Sequence, residues 1–401
     1  MKKLLLLGGA RYALPVIEAA HSLGCYVITC DYLPQNMAHR YSDRYCNVSI
    51  VDKEAVLEAA KGLAIDGIMS FACDPGVVTA AYVAEKLNLP TSGPYESVCI
   101  LQNKKLFREF LTKHGFCVPF AKGYGRIEDA LDERDLFRWP VIVKPVDSAG
   151  SKGVSRVEDP ELLEISIRHA LKFSQSNEFI IENFLESRNH PSDSECFSVD
   201  GDLKFVSYSA QRFDSSSENP YTPAAFSWQP TISEQNQKEL TSELQRLIHL
   251  LNMGTSLYNV ETRECTDGKA YIMECSPRGG GNRLCEMIRY SAGVDLISNA
   301  VRFSIGEPLA DIEQKKNDGY WAEIILHSDT SGKFREVSIA NEIRHNIMEQ
   351  DIWVEKGEQV NAFSGANEAV GTLVLRFDAE MEMNQVLDNQ KRYVEVIVDG
   401  N

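Results

Sequence analysis

The chain has 401 residues, of which 43% are hydrophobic and 25% charged, so it is long enough for two or three globular domains with substantial cores. Its net charge of -17 argues against nucleic acid and anionic membranes as partners, because both would repel the protein. The 10 cysteines form no CxxC pair and the 8 histidines show no ligand spacing, so we expect a cytoplasmic protein without disulfides or zinc. No run approaches the roughly 18 apolar residues of a membrane span.

Short apolar strands alternate with helices in the first hundred residues. Strands are predicted at residues 4–7, 25–30 and 65–71, with helices between and after them. Asp74-Pro75 is typical of an N-cap followed by proline at the first helical position. Because such alternation produces parallel βαβ units, we predict a small doubly wound α/β domain here.

A larger mixed region is predicted after the loop at residues 91–94. Its expected elements are a helix at 104–114, strands at 141–143, 179–185 and 203–210, and a long amphipathic helix at 239–251. Asp267-Gly268 is a strong turn signal, so residues 257–262 and 270–275 are predicted to form a hairpin. After Pro308 the pattern changes to a small mixed α+β module with strands and one helix.

A loop of small residues follows the strand at 141–143. It reads Lys144-Pro-Val-Asp-Ser-Ala-Gly-Ser-Lys-Gly153. Small residues let backbone amides approach phosphate oxygens, and the two lysines supply positive charge. The run lacks the GxxxxGK[S/T] pattern, and a solvated hairpin turn is an equally open interpretation.

Two glutamates, Glu261 and Glu274, lie one on each strand of the predicted hairpin. An acidic residue in an apolar strand is costly to bury unless a cation lies beside it. Two carboxylates facing one cavity suit Mg²⁺, which prefers one or two protein carboxylates together with substrate phosphates. The alternative is that one of them points to solvent on the polar face of its strand.

Arg278 stands in the run Glu274-Cys-Ser-Pro-Arg-Gly-Gly-Gly281. Its guanidinium is a rigid fork for phosphate or carboxylate, and the glycines let the backbone approach a ligand. A flexible loop with a surface arginine is the alternative. A lysine-bearing loop, two carboxylates and an arginine together predict a magnesium–nucleotide site between two lobes.

With these motifs, the chain resembles the ATP-grasp superfamily over about residues 1–310. It is most similar to the carboxylate–amine ligase and carbamoyl-phosphate-synthase-like branches. The resemblance implies a pre-ATP-grasp, Rossmann-like domain at 1–100 and a two-lobed ATP-grasp domain at 101–310, with a hinge near 182–186. A mixed α/β module would follow at 311–401, shaping either the acceptor pocket or a homodimer interface.

The resemblance assigns several residues to ATP. Val141-Ile-Val-Lys-Pro145 matches a family strand, Ile181-Glu-Asn-Phe-Leu185 matches the hinge, and Lys104 has the family's distance to Gly115. Glu182 and the backbone of Phe184 and Leu185 would then bind the adenine edge, and Glu195 the ribose. The full implied set is Lys104, Lys144, Ser148, Gly150, Ser151, Lys152, Gly153, Glu182, Phe184, Leu185 and Glu195.

The resemblance also assigns metal and catalytic residues. Glu261, Glu274 and Ser276 would bind one or two Mg²⁺ ions, or Mn²⁺, with Ser276 standing where the family usually has asparagine. Lys144 and Arg278 would be catalytic, with Arg278 steadying the transferring phosphoryl group.

Substrate contacts are expected from the N-terminal domain and the glycine run. Gly9 and Asp74 lie at the carboxyl ends of predicted strands, where open α/β sheets bind ligands. Asp74 equally suits an N-cap, which we favour. Arg283 would hold an acidic substrate group or face solvent.

The implied reaction is activation of a small carboxylate, such as an amino acid, as an acyl phosphate, and its joining to an amine with release of ADP and phosphate. Phosphorylation of bicarbonate or carbamate, as in carbamoyl phosphate synthases, is one alternative. Another is a non-catalytic ATP-binding protein, because Ser276 and a glycine-poor loop depart from the family pattern. An oxidoreductase is a third, but Gly8-Gly9 does not begin a GxGxxG motif.

Overall fold

The N-terminal region is a four-stranded parallel sheet flanked by helices. The computed structural model describes residues 1–217, 219–315 and 319–399. The first elements are β1 (Lys3–Leu7), α1 (Leu14–Ser22), β2 (Tyr26–Cys30), β3 (Arg44–Cys46), α2 (Lys53–Leu63), β4 (Gly67–Ser70), α3 (Asp74–Leu87) and α4 (Tyr95–Gln102). The strands pair in the order β3-β2-β1-β4, and residues 4–7 are fully buried because helices cover both faces. The predicted doubly wound unit is confirmed.

A second sheet carries the loop of small residues. Its region contains α5 (Lys104–Lys113), β5 (Ala121–Tyr124), α6 (Ile127–Asp132), β6 (Val141–Pro145), β7 (Ser155–Val157), α7 (Leu163–Leu171) and β8 (Phe179–Asn183). The strands are antiparallel in the order β5-β8-β6-β7. Residues 146–154 join β6 to β7, so this loop, the glycine loop, projects from the end of an antiparallel pair.

A third sheet contains the predicted hairpin. The next elements are β9 (Ser192–Val199), β10 (Asp202–Ser207), β11 (Ala210–Phe213), β12 (Pro223–Trp228), α8 (Glu234–Leu250), β13 (Ser256–Glu264), β14 (Ala270–Ser276), α9 (Leu284–Ala292) and α10 (Leu296–Ser304). The sheet runs β10-β9-β13-β14, with α8 packed on one face. The hairpin is confirmed, because β13 and β14 pair antiparallel with Glu261 opposite Glu274.

The C-terminal region contributes two sheets. Its elements are β15 (Tyr320–Leu326), β16 (Gly332–Ile339), β17 (Ile347–Ile352), β18 (Gln359–Val360), β19 (Gly371–Phe377), α11 (Glu380–Asp388), α12 (Gln390–Tyr393) and β20 (Val394–Asp399). One sheet is β18-β16-β20. The other, β11-β12-β15-β19-β17, takes two strands from before residue 310, so the expected boundary at 310 does not separate independent sheets. Residues 316–318 and 400–401 of the expected module lie outside the described part.

The regions share one hydrophobic core. Leu4 and Val16 of the N-terminal unit pack in the same cluster as Leu284 of α9, Trp321 of β15 and Val374 of β19. Helix α1 also lies against α10. The N-terminal unit, the third sheet and the C-terminal sheet therefore hold one another in place. Within the described residues, no helix has the length and apolar character needed to cross a bilayer.

The contact between β4 and the end of α10 gives a test of this packing. A Cβ added at Gly67 would clash with the Ser304 carbonyl oxygen, which is backbone and cannot rotate away. We expect Gly67→Ala to lower the free energy of unfolding by about 1–3 kcal/mol in urea denaturation. Gly62→Ala is the matched control, because nothing lies within 4 Å of its added Cβ. A Gly67→Ala protein as stable as the control would contradict this contact.

Candidate functional site

One face of the third sheet carries a wall of polar side chains. The members are Asp193 and Glu195 on β9, Asn259, Glu261 and Arg263 on β13, and Glu274 and Ser276 on β14. The register places Glu261 opposite both Asp193 and Glu274, and residues paired in this way point to the same face. On the other face of β13, Tyr258 and Val260 pack in the core with α8. Alternation along the strands therefore concentrates four carboxylates on one surface.

Glu261 and Glu274 lie side by side on this wall. Directly opposite residues of an antiparallel pair have Cβ atoms about 4.5–5.5 Å apart. Glu274 Oε1 lies 3.1 Å from Lys104 Nζ, and Glu261 Oε1 lies 3.3 Å from Arg263 Nη2. Burial alone would raise the pKa of Glu274, but the charges of Lys104 and Lys144 outweigh it and lower that pKa. Carboxylate oxygens in this arrangement suit the hard ions Mg²⁺ and Mn²⁺.

Ser276 has protein partners for its hydroxyl. It donates to Asp74 Oδ1 at 2.9 Å and accepts from Gln102 Nε2 at 2.8 Å. Its expected role as a metal ligand stays a prediction, and in this structure the hydroxyl instead links Asp74 to Gln102. Neither link had a signal in the sequence, because the partners come from the N-terminal helices α3 and α4.

Lys104 and Lys144 approach the wall from the second sheet and its helix α5. Lys104 Nζ donates to the Ser148 carbonyl at 3.0 Å as well as to Glu274. Lys144 Nζ lies 2.9 Å from Glu182 Oε2, and both side chains are buried. The structure thus brings both lysines to the cleft. Lys104 faces Glu274 of the predicted metal pair, Glu261 and Glu274, and Lys144 is held by the buried carboxylate of Glu182.

Glu182 lies between two cations, and its expected role as an adenine contact stays a prediction. Its Oε1 accepts from Arg108 Nε at 2.8 Å, while Oε2 pairs with Lys144. Burial would raise the pKa of Glu182, but the two cations hold it at about 2. Its side chain is therefore a counter-ion that fixes Lys144 and Arg108. Sequence analysis missed Arg108, although its position four residues after Lys104 on α5 puts both on one helix face.

The hinge is closely tied to its surroundings. The Phe184 amide donates to the Pro140 carbonyl at 3.0 Å, so this amide is already used within the protein. Arg156 of β7 stacks over the Phe184 ring at 4.2 Å, and Arg263 of β13 donates to the Leu185 carbonyl at 3.5 Å. The predicted base-binding hinge thus lies where the second and third sheets meet.

The glycine loop has the backbone conformation that its composition favours. Gly150, Ser151 and Gly153 have φ values of 68°, 57° and 72°, which lie in the left-handed region. The Lys152 side chain is exposed. Ser151 Oγ donates to the Tyr221 carbonyl at 3.2 Å, so the loop contacts the segment between β11 and β12. Amide groups in such turns are typical of anion-binding loops.

Arg278 connects the N-terminal unit to the wall. Its Nε and Nη2 donate to the two oxygens of Asp74 at 2.9 and 2.8 Å, and Nη1 donates to Asn259 Oδ1 at 3.0 Å. The favoured N-cap interpretation of Asp74 is wrong, because Cys73 holds the cap position and Asp74 is the first residue of α3. Burial would raise the pKa of Asp74, but Arg278 lowers it.

Glu195 is placed differently from its expected ribose site. Its Oε1 accepts from Asn259 Nδ2 at 2.9 Å and from the Gly280 amide at 3.0 Å, and its Oε2 accepts from Cys285 Sγ at 2.9 Å. Burial raises the pKa of Glu195 to about 7. Both carboxylate oxygens thus have hydrogen-bond partners within the protein, and one partner, Asn259, also accepts from Arg278. The expected ribose contact stays a prediction, and in this structure Glu195 positions Asn259 and the Gly280 backbone.

Two of the expected substrate residues have packing partners. A Cβ on Gly9 would clash with the His39 ring, so its small size serves close packing. The Arg283 side chain is 9% exposed and ion-paired: Nη2 lies 3.0 Å from Glu286 Oε1 and 2.8 Å from Glu349 Oε1. For both residues, substrate binding stays a prediction.

Sequence analysis also missed Asp193 and Asn259. Asn259 Nδ2 donates to Asp193 Oδ1 at 2.6 Å and its Oδ1 accepts from Arg278, so the amide orients two members of the site. Burial raises the pKa of Asp193 well above its ordinary value, and the neighbouring Glu195 and Glu261 add to the rise. The available signal was the spacing of two between Asp193 and Glu195, which puts both side chains on one strand face.

A family model for the ATP-grasp domain matches residues 137–286. That range contains Lys144, the hinge, both glutamates of the metal pair and Arg278. Residues 137–286 are therefore similar to the ATP-grasp domain family.

Among proteins of known function, the chain is similar to the carbamoyl phosphate synthase large chain of Clostridium perfringens (strain 13 / Type A). The two are 24% identical over 268 residues, which is 66% of this chain and 23% of that one. The chain therefore spans about a quarter of that relative. A formate-dependent phosphoribosylglycinamide formyltransferase from Synechococcus sp. (strain WH7803) is 26% identical over 325 residues, covering 77% of this chain and 78% of that one.

Solved structures share the fold over the whole chain. An L-amino acid ligase from Bacillus licheniformis superimposes with a TM-score of 0.82 at 19% identity, covering 100% of this chain and 99% of that one. A phosphoribosylglycinamide synthetase from Anaerococcus prevotii gives a TM-score of 0.77 at 20% identity, covering 99% and 100%. The C-terminal sheets are thus part of the common fold.

The buried cation pair around Glu182 predicts a stability effect. In Glu182→Gln, Lys144 and Arg108 would lie together in the interior without a counter-ion. We expect the free energy of unfolding to fall by about 3 kcal/mol or more, measured by chemical denaturation. Glu164→Gln, which removes an exposed pair with Arg168, should change it by less than about 1 kcal/mol. Similar losses in both variants would refute this account.

Glu323 of β15 predicts a dependence of stability on pH. It is 0% exposed, and neither carboxylate oxygen has a hydrogen-bond partner in the described residues. Burial raises its pKa well above the ordinary 4.5, although Arg283 opposes the rise. The unfolded chain therefore releases this proton at lower pH than the folded protein, so raising the pH above about 4.5 favours unfolding at this group.

We expect the melting temperature of Glu323→Gln, relative to that of the wild type, to rise between pH 5 and pH 8. Glutamine resembles the protonated acid but cannot ionise. The variant therefore does not lose stability at this position as the pH rises, whereas the wild type does. Glu342→Gln, at an exposed position, should show no such trend. If the difference in melting temperature between Glu323→Gln and the wild type did not change with pH, burial would not be raising the pKa of this carboxyl.

Proposed function

We propose that the protein is an ATP-dependent carbon–nitrogen ligase that activates a small carboxylate and joins it to an amine. The observation that carries this proposal is the pairing of charges across the cleft. Lys104 lies 3.1 Å from Glu274, which stands directly opposite Glu261 on the neighbouring strand. Lys104 and Glu274 border a cavity of about 260 Å³ that also reaches Ser148 and Asp74.

ATP would lie between the second and third sheets. Its phosphates would meet Lys104, Lys144 and the glycine loop, and its base would lie at the hinge near Leu185. Glu261 and Glu274 would hold Mg²⁺, which supplies positive charge to the phosphate oxygens when bound. The oxygen chemistry of the two carboxylates fits this ion.

The reaction would proceed in two displacements. A carboxylate oxygen of the substrate attacks the γ-phosphorus, the bond to the β–γ bridging oxygen breaks, and ADP leaves. The amine nitrogen then attacks the acyl carbon, phosphate leaves with the electrons of the acyl–oxygen bond, and the amine loses a proton to solvent. The protein contributes position and charge, with no covalent intermediate on the chain. Arg278, fixed by Asp74 and Asn259, would face the transferring phosphoryl group.

The comparisons support this class. A ligase for L-amino acids and a phosphoribosylglycinamide synthetase share the complete fold. The similarity to a carbamoyl phosphate synthase favours phosphorylation of bicarbonate or carbamate as a second candidate. A third candidate, ATP binding without turnover, is favoured by the engagement of the Ser276 hydroxyl with Asp74 and Gln102.

The three candidates give different results when ADP release is measured with Mg-ATP and pairs of small acids and amines. The ligase requires an acid for ADP formation and an amine for amide product. Bicarbonate alone would suffice for the second candidate. If calorimetry showed binding of Mg-ATP but no acid–amine pair gave ADP, only the third candidate would remain, and our proposal would be overturned.

We expect Glu274→Gln to lower kcat by about 100-fold or more, because one of the two opposed carboxylates loses its charge. Glu239→Gln, at an exposed position on α8, is the matched control and should retain full activity. Wild-type turnover by Glu274→Gln would remove the metal pair from the mechanism.

A further inference from the structure

The cavity beside Lys104 extends from the proposed phosphate site to the N-terminal unit. One part of its lining comes from the site already described, namely Lys104, Ser148, Glu274 and Ser276. Another part comes from the start of α2 and the first turns of α3, including Val51, Lys53, Val78 and Thr79. Its volume of about 260 Å³ suits a small metabolite, since drug-sized ligands occupy roughly 300–1,000 Å³.

Lys53 is a positive charge in this lining whose hydrogen bond and ring contacts are with neutral tyrosines, while the charge of the adjacent Glu54 adds a smaller contribution to raising its pKa. Its Nζ lies 4.7 Å from the centroid of the Tyr82 ring and 5.1 Å from that of Tyr95, and it donates to Tyr95 Oη at 3.1 Å. The hydrogen bond to Tyr95 contributes most to raising the pKa of Lys53, so the ammonium is charged at neutral pH. Among the described residues, the adjacent Glu54 accepts a hydrogen bond from Tyr82 and forms no ion pair with Lys53.

The acidic residues of the lining are each engaged elsewhere. Asp74 is held by the Arg278 fork, and Glu274 faces Lys104. Asp147 accepts from the amides of Gln175 and Ser176 at 3.2 and 2.7 Å. The cavity therefore has matched charges at the proposed phosphate site and an unmatched cation, positioned by two aromatic rings, at Lys53.

We propose that Lys53 binds a second anionic group, a carboxylate or a phosphate, on the acid that the enzyme activates. One carboxylate of this substrate reacts near Lys104 and Glu274, and the other acidic group pairs with Lys53 at the N-terminal unit. The substrate is thus a dicarboxylic or phosphate-bearing acid, and a monocarboxylic acid leaves Lys53 unmatched. This inference rests on the proposed function, because it concerns the acid bound at the same cavity.

The first test compares acids in the ADP-release assay with a fixed amine. The probes are L-alanine, L-aspartate, L-glutamate and O-phospho-L-serine, which share an α-amino acid group and differ in the second anion. We expect at least one dianionic probe to have a lower KM than alanine, and the aspartate and phosphoserine results distinguish carboxylate from phosphate. Equal or better use of alanine would overturn the inference while leaving the ligase intact.

The second test changes the lysine. We expect Lys53→Ala to raise KM for the preferred dianionic probe about tenfold or more, because a hydrogen bond between charged groups is lost. The kcat and the KM for ATP should change little, and Lys53→Arg should recover part of the loss. Lys61→Ala, on the same helix with an exposed partner Glu58, is the control. An unchanged KM in a folded Lys53→Ala protein would overturn the inference.

A third measurement separates this inference from the proposed function. Binding of the same probes is followed by calorimetry with Mg-ADP present, which requires no turnover. Dianion binding that disappears in Lys53→Ala, in a protein that never releases ADP, would reject the ligase proposal and keep the anion site. Absence of Lys53-dependent binding by every dianionic probe would reject the anion site. Melting temperatures within 2 °C, a threshold of about 1 kcal/mol or less, verify that the variants are folded.

Discussion

The cleft depends on a balance of buried charges supplied by different parts of the chain. Glu182 lies between two cations of the second sheet and its helix, and Glu274 on the third sheet faces Lys104. A charge removed from water costs several kcal/mol unless an opposite charge and hydrogen bonds compensate it. A shift of register in β13 or β14 would break this balance. The groups that we propose to bind a nucleotide are therefore also groups that hold the sheets together.

The candidate site could be predicted where chemistry interrupts a local pattern. Lys144 ends an apolar strand, and Glu261 and Glu274 break the apolar alternation of a hairpin, so each was visible in the sequence. The link from Arg278 to Asp74 was not, because the two are 204 positions apart and meet only through the packing of α3 against the third sheet. Glu195 was predicted to bind the ribose because of the family resemblance, whereas its hydrogen-bond partners in the protein follow from the pairing of β9 with β13.

In the fold, too, elements with a local sequence pattern could be predicted, and pairings between distant segments could not. The N-terminal unit was predictable, because every strand in its core is an apolar run bounded by turns. The short strand β3 was missed, since Arg44–Cys46 is polar and partly exposed. The C-terminal sheet could not be delimited, because β12 and its partner β15 are separated along the chain by the β13–β14 hairpin and three helices. The sequence composition changes near residue 310, but the backbone hydrogen bonds of this sheet join strands from both sides of that position.

That shared sheet has a practical consequence for anyone shortening the chain. A protein ended at residue 310 would leave β12 as an open edge, with the now buried Phe226 and Trp228 on its surface. Unpaired apolar edges are templates for intermolecular strand pairing. We therefore expect a chain shortened at residue 310 to aggregate, because β15 covers this edge of the sheet in the full chain.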